Sequence, residues 1–244
     1  MIWALHGAVG SDRDWTELIH DFCAVGLKCE ALDLWSFLDS DKVSLKEVGA
    51  RIAAHIRARD DDPIILGYSM GGRIALHALI SQPDQWRAAV IVSAHTGLCS
   101  SEEKTARKAR DLDWSEKALS CEWAEFLNEW QDQGVLQPMG QPSANLADRM
   151  LLKDKSRQIS QSFIDWSLGA QEDLLPSLDQ INCPMLWLTG EGDQKFTQVA
   201  AAAVDELSVA EHVILPACGH RLPWESSPEF VAQCERFIKT YQTR

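Results

Sequence analysis

Ile64-Ile65-Leu66-Gly67-Tyr68-Ser69-Met70-Gly71-Gly72-Arg73-Ile74-Ala75-Leu76 is the stretch on which the reading of the fold turns. A short apolar run introduced by Pro63 predicts a buried strand, Ile64–Leu66, and the pattern after Ser69 predicts a helix from about Met70 to Ser81, ending before Pro83. Between them stands Gly67-x-Ser69-x-Gly71. A serine on so tight a strand-to-helix turn is held in a strained backbone, and its neighbours two residues away must be small to avoid collision. The turn lifts the hydroxyl above the sheet and sets it near a helix N-terminus, where partial positive charge favours a developing anion. Ser69 is therefore a candidate catalytic residue; the alternative is a glycine-rich turn without chemistry.

Working outward, short apolar runs alternate with helical patterns. Ile2–Leu5, Glu30–Leu34, Ala88–Val92, Met185–Leu188 and Val213–Leu215 read as further strands, and Trp15–Val25 and Val48–Arg59 as helices. Strands alternating with helices imply a parallel sheet with crossover helices. From about Ser100 to Leu178 the rhythm breaks: strand signals vanish and Glu, Lys, Arg, Gln and Trp dominate. The expectation is a core of residues 1–98 and 179–244 with a helical cap, 99–178, inserted over the site; a separate helical domain is the competing reading.

Two segments past predicted strand ends supply partners for Ser69. Asp193 lies in Leu188-Thr189-Gly190-Glu191-Gly192-Asp193 and His220 in Pro216-Ala217-Cys218-Gly219-His220. Open α/β sheets place their sites beyond the carboxyl ends of strands. His220 would take the proton of Ser69, and Asp193 would orient the imidazole and stabilise its charged form. Glu191 is a rival acid. His6, in His6-Gly7-Ala8 after the first strand, reads either as a second base that meets substrate or as a brace for its loop.

Composition narrows the partners. The formal net charge of -13 argues against nucleic acid and against anionic lipid, both of which need a basic surface. The seven cysteines are oddly numbered, irregularly spaced and free of CxxC pairs, which gives no support for a zinc or redox site and suits a reducing cytoplasm. The first residues carry neither the basic region of a signal peptide nor a span-length apolar run, so no membrane association is expected.

These residues together resemble the α/β-hydrolase superfamily: a mainly parallel sheet flanked by helices, with an inserted helical cap. Within it, Gly67-Tyr68-Ser69-Met70-Gly71-Gly72-Arg73, the segment His95-Thr96-Gly97-Leu98 with Arg107, Asp111 and Trp114, and Gly190-Glu191-Gly192-Asp193-Gln194-Lys195-Phe196 are similar to the 2-succinyl-6-hydroxy-2,4-cyclohexadiene-1-carboxylate synthases of menaquinone biosynthesis. The resemblance implies elimination of pyruvate from a small anionic substrate bearing several carboxylates, without added water, metal or organic cofactor. It implies Ser69 acting as base with His220 and Asp193 in support, an oxyanion hole from the backbone amides of Ala8 and Met70, and carboxylates held by Arg73 and Arg107. Arg73 carries independent weight, since a cation in the first turn of a helix opposes the helix dipole and calls for an anionic partner, either a substrate carboxylate or a nearby Asp or Glu. Trp130, in the cap, is expected near the ligand.

Some positions depart from that family. Leu32-Asp33-Leu34-Trp35-Ser36-Phe37-Leu38 replaces the usual D-x-P-G-x-G loop, and Ala8 stands where an aromatic is frequent. A third carboxylate-binding arginine of the later cap has no clean counterpart; Lys153 or Arg157 are the candidates, although lysine lacks the two-pronged contact. An ester or thioester hydrolase working through an acyl-serine would use the same triad and is the rival activity. A non-catalytic binding protein on this scaffold would be expected to have lost a triad member.

Overall fold

The apolar runs pair as parallel strands. In the computed structural model, which describes residues 1–38, 42–137, 139 and 146–241, β1 (Ile2–Leu5), β2 (Cys29–Leu32), β3 (Ile64–Tyr68), β4 (Ala88–Val92), β5 (Met185–Gly190) and β6 (Ala210–Leu215) form one sheet. Its order is β2-β1-β3-β4-β5-β6. Every neighbouring pair is parallel, so each connection must cross a face of the sheet. Helices make the crossings: α1 (Thr16–Ala24), α2 (Leu45–Arg57) and α3 (Met70–Ser81). Between β4 and β5 come α4 (Ser101–Ser120), α5 (Trp123–Gln131), α6 (Leu146–Met150) and α7 (Ser156–Asp165). After β5 the chain forms α8 (Gln194–Asp205), then β6, α9 (Leu222–Glu225) and α10 (Ser227–Thr240).

Side-chain alternation along each central strand fills two cores. Ile64 and Leu66 of β3 join Phe22 of α1 and Phe230 and Phe237 of α10 on one face. Ile65 joins Ile52 of α2 and Ile74 of α3 on the other. With both faces covered, the central strands are almost wholly apolar and buried end to end. Helix starts follow local chemistry: Ser44 caps α2 in a reciprocal box with Glu47, and the Ser100 hydroxyl accepts from the Glu103 amide at the head of α4.

The expected strand boundaries shift by a few residues at the edges, where β2 and β6 are only partly buried and the apolar pattern is weak. The segment between β4 and β5 contains no strand among the described residues. Its aromatic residues Trp114, Trp123, Phe126, Trp130 and Phe163 pack on one another, and they belong to the same apolar core as Ile52, Ile65 and Ile74. The unusual segment after β2 forms a short 3-10 turn, Leu34–Phe37. There Trp35 is buried, donates its Nε1–H to the Gly10 carbonyl at 2.8 Å and stacks on Trp166. Among the described residues no helix is long and apolar enough to cross a membrane.

Candidate active site

The carboxyl ends of β1, β3, β4, β5 and β6 lead into the residues that converge above the sheet. Ser69 follows β3 with φ 52° and ψ −111°, a left-handed conformation unfavourable for a residue with a Cβ. Its amide donates to the Val92 carbonyl at 2.9 Å, and its carbonyl accepts from the Arg73 amide at 3.1 Å, which ties the turn to β4 and to α3. A Cβ at Gly67 would stand 2.6 Å from the Gly71 carbonyl oxygen, and one at Gly71 would strike the Leu5 carbonyl. Both positions therefore need glycine, for lack of space.

His220 Nε2 lies 3.1 Å from Ser69 Oγ, and His220 Nδ1 lies 2.7 Å from Asp193 Oδ2. With Asp193 accepting, Nδ1 carries the hydrogen and Nε2 is left to accept from the serine hydroxyl. The imidazole sits between the rings of Tyr68 and Phe196, at centroid distances of 5.6 and 4.5 Å. Glu191 is exposed and accepts instead from the Ala217 amide at 3.0 Å. Ala8 and Met70 line the same cavity as Ser69. Neither of their amides has a protein acceptor among the described residues, which leaves both available to an oxygen anion.

That cavity measures about 230 Å³ and is walled by the helical insertion as well as by the sheet. Trp114, Trp130 and Leu168 supply apolar surface; Arg73, Arg107, Arg110 and Lys195 supply charge. Arg73 is buried and donates to Gln171 Oε1 at 3.1 Å, while Gln171 Nε2 donates to the Thr96 carbonyl at 2.9 Å. Burial, reinforced by nearby Arg107, pushes the Arg73 pKa down to about 9. Asp111 is the acid of the cavity wall, but Arg107 Nε holds both its oxygens at 2.8 Å and the Ser167 hydroxyl donates to it at 2.7 Å. Arg73 therefore has no ion pair among the described residues. His95 accepts the Gly97 amide on Nδ1 at 3.0 Å. Burial, with Lys195, Arg73 and Arg107 nearby, pushes its pKa down to about 4, so it faces the cavity as a neutral Nε2–H donor.

Three of the sequence candidates stand elsewhere. His6 is fully buried outside the cavity wall: Nε2 accepts from the Leu34 amide at 3.1 Å and Nδ1 donates to the Gly7 carbonyl at 2.9 Å. Burial lowers its pKa, and the brace reading fits this geometry where substrate contact does not. Lys153 is exposed and is absent from the cavity wall, and Arg157 faces a separate shallow groove with Lys42 and Ile164. The cations that do reach the cavity beyond Arg73 and Arg107 are Arg110 and Lys195. Spacing carried the signal for Arg110, which together with Arg107, Asp111 and Trp114 falls at i, i+3, i+4 and i+7 on one face of α4.

A strand-elbow serine, an acid after β5 and a histidine after β6 on this sheet define an α/β-hydrolase architecture. The chain belongs to the alpha/beta hydrolase family, whose profile matches residues 4–234. Among individual proteins, it is 28% identical to the 2-succinyl-6-hydroxy-2,4-cyclohexadiene-1-carboxylate synthase of Serratia proteamaculans, over 98% of this chain and 92% of that protein. It is 26% identical to the enzyme of the same name from Photorhabdus laumondii, over 99% and 86%. Its fold is like that of MenH from S. aureus, with a TM-score of 0.88 and 22% identity over 99% of this chain and 94% of that one. It is also like that of a thermophilic esterase from Thermogutta terrifontis, with a TM-score of 0.77 and 16% identity over 99% and 90%.

Proposed function

We propose that this chain is a lyase that eliminates pyruvate from a polycarboxylate intermediate of menaquinone biosynthesis; its relatives are named as synthases of 2-succinyl-6-hydroxy-2,4-cyclohexadiene-1-carboxylate. The observation that carries the proposal is Arg73: a buried guanidinium without an ion pair among the described residues, facing the cavity that holds Ser69 and His220. A neutral ester offers such a group only an uncharged acceptor, whereas a carboxylate offers a charge-assisted and bidentate contact. In this reading His220 withdraws the proton from Ser69 Oγ, and Ser69 takes the proton α to the substrate's carbonyl. The electron pair moves onto the carbonyl oxygen, which the Ala8 and Met70 amides stabilise. Its return breaks the carbon–oxygen bond to the leaving group, which takes up the proton held by His220 and departs as pyruvate, leaving the Ser69 hydroxyl and the neutral imidazole restored. Asp193 keeps His220 in the required tautomer throughout. Arg73 and Arg107 hold carboxylates, and Trp130 packs against the carbon skeleton.

Residues 99–178 serve as a cap that contributes Arg107 and Arg110 to the cationic wall, beside Arg73 and Lys195 of the core. All seven cysteines are free, which fits a reducing cytosol. Hydrolysis of an ester or thioester through an acyl-serine is the second reading, favoured by the 3.1 Å Ser69–His220 contact, which suits a nucleophile as well as a base. The deciding experiment measures pyruvate release from the enolpyruvyl substrate beside turnover of short acyl esters. A kcat/KM dominated by pyruvate release supports the lyase; robust ester turnover with no pyruvate overturns it.

A further inference from the structure

The cavity contains more positive charge than two bound carboxylates require. Arg73, Arg107, Arg110 and Lys195 line it, and Asp111, already committed to Arg107 and Ser167, is its one acid among the described residues. Neither Arg110 nor Lys195 makes a side-chain hydrogen bond or ion pair among the described residues. Both are exposed, at the rim rather than in the depth where Arg73 lies. Lys195 is also misplaced by helix electrostatics. It is the second residue of α8, so its charge opposes the positive end of the helix dipole, as that of Arg73 does in α3. Partial burial around its ammonium, with Arg107 and Arg110 beside it, holds its pKa below the usual lysine range. Two helices thus each carry a cation in an unfavourable first turn, and both cations face one cavity, in a chain of net charge -13. Mutual repulsion among these groups is relieved by an anion placed between them.

We infer that Arg110 and Lys195 form a rim subsite for the carboxylate at the far end of the substrate's flexible acyl chain, while Arg73 and Arg107 hold the carboxylates near the reacting ring. This rests on the lyase reading above. The compound in the relatives' name has a ring carboxylate and a succinyl group. A succinyl chain can carry its terminal carboxylate away from Ser69 toward the mouth, where an exposed pair of long side chains can follow it.

The test is calorimetric titration of the full chain with two stable probes. One is a benzoate bearing an ortho 4-oxobutanoate chain; the other is the same molecule with the chain's carboxylate converted to a primary amide. The wild type should prefer the diacid. Lys195→Met and Arg110→Gln should each shrink that preference by about 5- to 12-fold, between the ceiling for exposed ion pairs and the floor for charge-assisted hydrogen bonds. Lys195→Arg should keep most of it. In turnover the first two variants should raise KM more than they lower kcat. Equal weakening for both probes, an unchanged preference in both variants, or a wild type that does not distinguish the probes overturns the inference. Pyruvate release without the preference sinks the subsite and leaves the lyase standing; the preference without pyruvate release does the reverse.

Discussion

Replacing Arg73 by Met should make the protein more stable and much less active. Arg73 is 8% exposed and donates to one neutral oxygen, that of Gln171. Its pKa is pushed down to about 9, chiefly by burial. The distance from the usual arginine value corresponds to a few kcal/mol disfavouring the charged form in the folded state. The unfolded chain stays charged to higher pH, so this cost is fully present at neutral pH and fades only as pH rises above about 9, where the folded state releases its proton first. Methionine removes that cost and fills similar volume. It also leaves Gln171 Oε1 without a donor, which costs about 1–3 kcal/mol. The balance is a gain of about 2–4 kcal/mol, or a rise in Tm of roughly 4–8 °C for a chain of this size. Loss of a charge-assisted carboxylate contact should lower kcat/KM on the polycarboxylate by about 10- to 150-fold. Thermal melts and a lactate-dehydrogenase-coupled pyruvate assay read both effects. A fall in Tm of several degrees, with equal loss on a neutral ester, would show that the guanidinium is a structural strut and refute the reasoning.

Ser69→Ala should fold normally and lose about 10⁴–10⁶ in turnover; near-wild-type pyruvate release would remove Ser69 from the mechanism. Activity should survive exhaustive dialysis against EDTA, and a loss restored by a divalent ion would require a metal step that the proposed chemistry lacks. His77 is buried, its Nε2 has no hydrogen-bond partner among the described residues, and burial followed by Arg73 pushes its pKa down to about 4. Its folded pKa is depressed, so stability is lost as pH falls from the unfolded value near 6.5 toward 4. His77→Leu should recover about 2 kcal/mol of the loss between pH 7 and pH 5, read by urea melts at each pH; an unchanged pH slope would mean that His77 is solvated.

The elbow was legible because its constraint is local. A strand, two glycines without room for a Cβ and a helix are all written within Ile64–Leu76, and the helix Met70–Ser81 has the predicted bounds. The positions of Asp193 and His220 were legible because chain order and strand ends place them. The rim was not. Lys153 and Arg157 were chosen by their place along the chain, near where a family arginine is missing, but the direction a side chain faces depends on how its helix packs. Arg110 shares a face of α4 with Arg107, and that periodicity could have found it. His6 was ambiguous in sequence because bracing and catalysis use the same ring nitrogens; only the Leu34 amide, 28 positions away, separates them.

The single apolar core that runs from Ile52 and Ile65 through Trp114, Trp130 and Phe163 has a consequence for traffic in and out of the cavity. The inner side of the insertion is divided between this packing and the cavity, where Trp114 and Trp130 face Ser69 and His220. Moving the insertion would expose the aromatic side chains that join it to the shared core. The exposed Arg110 and Lys195 side chains border the cavity, so a ligand can enter between groups that reorient without the whole insertion moving. Melting should be one cooperative event in which sheet and insertion go together. A graft of residues 99–178 from a relative would have to bring the sheet-side residues that the insertion packs against.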